Sequence, residues 1–158
     1  MTKGLSISAS HAVDYLLTGA TFDHFRVYSS SLVLCFRRFP GIASDKPDEV
    51  WVSSTGFVEV GRMASVRPVS AERTDQRGPT IGSLSQLIAE EVSSAQVWSV
   101  GHLELMLGDC WIRMEAEEVN TEEVWSVTTD SPDPSFPHRW SITLDDVGNV
   151  VVHSSEKK

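Results

Sequence analysis

Cysteine is scarce in this chain, which holds only Cys35 and Cys110. Neither belongs to a CxxC pair or stands at ligand spacing from a histidine, so the sequence carries no zinc-finger or dithiol redox motif. Each sits in an apolar, strand-like run, Leu-Val-Leu-Cys-Phe and Gly-Asp-Cys-Trp-Ile, where a free thiol behaves as a small hydrophobe. Two buried free thiols are expected, with a single disulfide as the alternative.

Positive charge is short as well. Thirteen Lys and Arg face 22 Asp and Glu, leaving a net charge of -9. Affinity for nucleic acid comes mainly from basic side chains neutralising phosphates, so a direct nucleic-acid binder is not expected. Long apolar runs are missing too. No stretch approaches the roughly 18 apolar residues of a membrane helix, and Met1 to Ser8 lacks the apolar segment of a signal peptide. The expectation is a cytoplasmic protein with reduced cysteines and no membrane association.

Catalytic signatures are absent in the same way. No Gly-x-Ser-x-Gly elbow surrounds Ser30, Ser31, Ser53 or Ser54, and no HExxH links the five histidines. Gly78-Pro-Thr-Ile-Gly82 matches neither a dinucleotide fingerprint nor a P-loop. No cofactor and no metal are expected.

What remains is a chain of 158 residues, 41% hydrophobic, long enough to bury a core without disulfide or metal staples. Its most informative feature is internal similarity. Val13, Leu16 and Leu17 have the spacing of one helix face, and Leu84, Leu87 and Ile88 repeat it 71 residues later. Ser10 precedes the first run, while Ser83 with Gln86 forms a capping-box pattern before the second. The run Phe25 to Phe36 answers Ala95 to Met106 at an offset of 70, with Val27 matching Val97 and Tyr28 matching Trp98. Asp48-Glu-Val-Trp-Val-Ser53 answers Glu122-Glu-Val-Trp-Ser-Val127 at an offset of 74, which pairs Trp51 with Trp125 and places about four extra residues near Cys110 to Glu118.

The strands are short and alternating. Leu103, Leu105 and Leu107 are expected to face a core, and Trp140 to Leu144 leads through a turn-rich stretch into Val150 to His153 as a terminal hairpin. These features predict an α+β fold of two diverged repeats, each a short helix followed by an antiparallel strand meander, packed as one domain over 1–158. Repeat one spans about 8–61, a linker rich in charge and proline about 62–80, and repeat two about 81–154. Thr129 to His138, with three prolines, reads as an exposed loop.

Charge divides unequally between the halves. Residues 1–76 hold eight acids and eight bases, whereas residues 77–158 hold fourteen acids and five bases. Asp109, Glu115, Glu117, Glu118, Glu122 and Glu123 fall within fifteen residues. Such a run is a solvated face or a docking surface for a basic protein, since one-sign patches raise association rates and enforce specificity; divalent-metal binding by clustered carboxylates is the weaker reading, because no EF-hand loop or other ordered ligand spacing is present. Trp111 lies inside the run and is the aromatic expected to anchor a partner. His138, beside Arg139 in the proline-rich loop, completes the candidate partner-binding set.

Small acidic α+β proteins with repeated Val-Tyr/Trp-Ser and Glu-Val-Trp strands and an acidic run such as Glu115 to Glu123 resemble the immunity proteins that bacteria encode beside contact-dependent and other polymorphic toxins. The resemblance covers most of the chain and rests on pattern, without a diagnostic motif. It implies a non-catalytic protein, a monomer or homodimer, that neutralises a cognate toxin domain, often a basic nuclease. Two alternatives are open: a small enzyme with a pocket between the repeats and His138 or His102 as acid-base group, or an acidic secretion chaperone or adaptor.

Overall fold

A computed structural model describes residues 2–38, 46–56, 58–62, 77–98, 101–115, 123–129, 138–145 and 150–156. Two helices, α1 (Thr2–Leu17) and α2 (Arg77–Leu87), accompany ten strands. The strands are β1 (Thr21–Val27), β2 (Leu32–Arg37), β3 (Glu49–Ser54), β4 (Val58–Arg62), β5 (Val92–Val97), β6 (Leu103–Leu107), β7 (Cys110–Met114), β8 (Glu123–Thr128), β9 (His138–Asp145) and β10 (Val150–Glu156). The fold is α+β, with two antiparallel sheets. No helix among the described residues is long and apolar enough to cross a membrane.

The alternating patterns place their apolar members as expected. Leu103, Leu105 and Leu107 are buried, as are Val50 and Val52 on β3 and Ile142 and Leu144 on β9. Val13, Leu16 and Leu17 bury one face of α1, and Leu84 and Leu87 that of α2. Ile88 stays exposed because α2 ends before it. Both sheets and both helices contribute to one hydrophobic cluster. Burial of that shared apolar surface is the main force holding the layers together. Trp125 adds a directed link: fully buried on β8, it donates its indole N–H to the carbonyl of Gly101 at 2.8 Å.

Strand pairing departs from two simple meanders. The six-stranded sheet runs β1-β2-β3-β8-β9-β10 and the four-stranded sheet β4-β7-β6-β5. Thus β1 to β3 form a meander whose successor, β4, leaves for the other sheet and pairs with β7. Likewise β5 to β7 form a meander whose successor, β8, leaves and pairs with β3. The two crossings run side by side, with Thr55 donating its N–H to the carbonyl of Val124 at 2.9 Å. The terminal hairpin of β9 and β10 then extends the larger sheet.

The structure departs from four sequence assignments. Trp51 and Trp125 do not hold equivalent places: Trp51 is half-buried opposite Cys35 on β3, whereas Trp125 lies in the core on β8, opposite Ser54. By position along the path, Trp51 answers Trp111, which lies opposite Met106 on β7. Residues 38–48 join β2 to β3, whereas only Gly108 and Asp109 join β6 to β7. Gly108 takes φ of +61° at the first turn position, where a side chain is disfavoured.

Second, Ser10 and Ser83 lie inside their helices rather than at the starts. Ser10 instead serves the free edge of β5, accepting from Val97 N–H at 2.7 Å and donating to Val97 carbonyl at 2.9 Å. Asp14 accepts from Ala95 N–H at 3.0 Å, so α1 closes an edge that would otherwise present bare backbone. Third, Val27 and Tyr28 are exposed, whereas their matches Val97 and Trp98 are buried and half-buried. α2 also begins at Arg77, inside the expected linker, whose residues 63–76 lie outside the described set.

Candidate functional site

The face of the four-stranded sheet turned from its leucines carries a row of polar residues set by strand register. Glu59 lies opposite Arg113, Arg113 opposite Glu104, and Glu104 opposite Gln96. Arg113 Nη2 and Nε donate to Glu104 Oε2 at 2.7 and 3.2 Å, and Gln96 donates to Glu104 Oε1 at 3.1 Å. Glu104 and Arg113 are both buried.

Two tryptophans shield this pair. The Arg113 guanidinium carbon lies 4.3 Å from the Trp98 ring centre and 4.6 Å from that of Trp111, within cation–π range. Trp111 fits because residue 61, directly opposite, is glycine: a Cβ there would lie 2.2 Å from the indole. Stacking leaves Arg113 Nη1 and Trp98 Nε1 buried and without a hydrogen bond among the described residues. Two donors in that condition favour an added acceptor.

Exposed acids gather at one end of the same sheet. Asp109 occupies the β6–β7 turn, and Glu90 and Glu91 precede β5. A Cβ on Gly108 would lie 3.4 Å from Glu90 Oε2, so Glu90 reaches the turn that carries Asp109. The Cys110 thiol, which contacts Asp109 Oδ1 at 3.6 Å, records their field. Its pKa is raised first by desolvation and then by the negative charges of Asp109 and Glu90, with Arg62 opposing.

The described members of the expected partner-binding set lie on elements of both sheets. Asp109 is exposed and Trp111 half-buried, on neighbouring positions of one hairpin. Glu115, by contrast, is 1% exposed, so its carboxylate is withdrawn from the surface. Glu123 opens β8 opposite Asp145, and His138 opens β9 opposite Glu156. Glu117, Glu118 and Glu122 lie outside the described residues. Glu90 and Glu91 escaped sequence reasoning because they stand some twenty residues from the acidic run.

Comparison with protein-family models, curated proteins and solved structures gave no match. The chemistry of the side chains therefore carries the functional argument alone.

His102 lies against Trp98, ring centres 6.1 Å apart. Elsewhere, His24 Nδ1 contacts Asp23 Oδ2 at 2.6 Å near Cys35. A Cys-His-Asp nucleophile is not what this makes. Cys35 is fully buried, and desolvation, reinforced by Glu49, pushes its thiol up to about 11, the reverse of an activated cysteine. Both cysteines are free thiols, Cys35 in the larger sheet and Cys110, only partly buried, in the smaller.

Proposed function

We propose that this protein is a non-catalytic binding protein of the immunity type, which neutralises a basic, nuclease-type toxin domain by covering its cationic surface. The observation that carries the reading is the convergence of Glu90 on the Asp109 turn, next to half-buried Trp111, within the half of the chain that holds the whole net charge. A basic partner gains attraction from the acids over a distance near the Debye length of about 8 Å, and gains contact area from the indole. Trp111 stands on paired β7 and Asp109 on the two-residue turn that leads into it, a placement set before binding that lowers the ordering cost.

The two-copy origin belongs to the same proposal. Its support is the matching path of the two meanders, each donating its fourth strand to the other sheet. A second support is an isolated bridge between Thr21 and Glu91, residues 70 apart, flanked by matched bonds. Val92 N–H donates to Ala20 carbonyl at 2.8 Å, as Phe22 N–H donates to Glu90 carbonyl at 2.9 Å.

Co-expression of the untagged chain with a toxin domain encoded beside it is the direct test. Rescue of growth and a stoichiometric complex are expected. Charge reversal at Glu90, Asp109, Glu117 and Glu118 together is expected to weaken that complex at least tenfold, with a steeper loss at low salt. Affinity unchanged by the reversal sinks the acidic-surface reading.

A further inference from the structure

β1 contains a bulge. Phe22 faces Phe36 and His24 faces Cys35, leaving Asp23 as the extra residue. Phe22 is buried and Phe25 packs against the core, so the bulge turns Asp23 and His24, though consecutive, both away from it. There they meet Cys35 on the neighbouring strand. One donor atom from each of the three lies within 4.8 Å of the other two.

We propose that Asp23, His24 and Cys35 form a binding site for a thiophilic divalent transition-metal ion, zinc by preference. Carboxylate, imidazole and thiolate are three donors of the kind zinc takes in tetrahedral sites, and sulfur with nitrogen disfavours calcium or magnesium. The Asp23 and His24 side chains are 40% and 32% exposed, so the ion is reached from solvent, and water completes its shell. Binding breaks the Cys35 S–H bond, forms a sulfur–metal bond and releases one proton to solvent, with no change of oxidation state.

The second meander supplies an internal control. β5 carries the same bulge, between Val92 and Ser94, with Ser93 as the extra residue and Ser94 opposite Met106. None of those three is a comparable ligand, so the bulge does not require the donor trio. Arg37 is the competing cation, 3.5 Å from Asp23 Oδ2. It also pairs with Glu49 at 3.1 Å, a partner that retains it when Asp23 turns to a metal.

The test is titration of the reduced, chelator-treated, untagged full chain with cobalt(II), the spectroscopic stand-in for zinc. About one equivalent is expected to bind with tetrahedral visible bands and a thiolate-to-cobalt charge-transfer band, and zinc is expected to displace it. His24→Gln and Asp23→Asn, at partly exposed positions, are each expected to weaken binding at least about tenfold. Cys35→Ser is expected to abolish the charge-transfer band, and Cys110→Ser to leave it intact. The proposal is overturned by failure to saturate, by a band that survives Cys35→Ser, or by unchanged affinity in both His24→Gln and Asp23→Asn. The last two variants decide the matter should Cys35→Ser fail to fold.

Discussion

Gly19 and Ala89 hold the same left-handed backbone conformation, with φ of +86° and +78°, just beyond the ends of α1 and α2. Each reaches into the other half: Gly19 N–H donates to Val92 carbonyl and Ala89 N–H to Phe22 carbonyl, both at 2.8 Å. Glycine adopts this conformation freely, whereas alanine pays roughly 1 kcal/mol for it. Ala89→Gly is therefore expected to stabilise the protein by about 0.5–1 kcal/mol, and Gly19→Ala to destabilise it by a similar amount. Urea midpoints for the two variants check this, and a destabilised Ala89→Gly would contradict the shared geometry.

The Glu104–Arg113 pair is expected to show the asymmetry of buried ion pairs. Glu104→Gln or Arg113→Met alone strands a partner away from water and is expected to cost about 3–5 kcal/mol. Glu104→Leu with Arg113→Met removes both charges and should recover much of that loss. A double variant as unstable as the sum of the singles would show that the two side chains do not act together.

Gly61→Ala drives a methyl group into the Trp111 ring. The indole must tilt and loses its stack on Arg113, so a cost of about 1–3 kcal/mol is expected. In a Trp111→Ala background the same change should cost less than about 0.5 kcal/mol. Equal costs in both backgrounds would place the clash elsewhere.

Cys110 reports on the acids around it. Because desolvation first, and then the charges of Asp109 and Glu90, raise its pKa, the neutral thiol persists to higher pH than in an ordinary cysteine. Alkylation at neutral pH should be slow, and should accelerate as pH rises through the displaced pKa. Asp109→Asn and Glu90→Gln are each expected to move that rate profile to lower pH. An unmoved profile in both variants would separate these acids from the thiol and weaken the case for a converged acidic surface.

Asp14→Ala removes the acceptor for Ala95 N–H and for the Thr18 hydroxyl, which donates to it at 2.7 Å. A loss of about 1–3 kcal/mol is expected, because a part-buried donor on a sheet edge is left unpaired. With Ser10→Ala added, the edge of β5 opens, and size-exclusion chromatography is expected to show concentration-dependent association. A doubly substituted chain that elutes unchanged at all concentrations would mean that α1 blocks the edge by bulk alone.

The sequence by itself determined the α+β class, the buried faces of both helices, the leucine face of β6 and the terminal hairpin. Those features are local: a period of 3.6 or of 2 states which side chains avoid water, whatever the rest of the chain does. Strand partnership was decided only by the tertiary structure. Alternation assigns a strand two faces and no neighbour, so nothing in Val58 to Arg62 or Glu123 to Thr128 shows that each crosses to the other sheet. Trp51 and Trp125 sit in similar short strings, and only pairing separates the half-buried indole from the core one. The sites follow the same division. The net charge of the second half was legible, but Glu90 reaches the turn that carries Asp109, Arg113 is enclosed by one indole from β7 and one from just beyond β5, and Asp23 and His24 meet Cys35 through a bulge. Each of these meetings depends on long-range burial of apolar surface, which brings together residues that no local spacing connects.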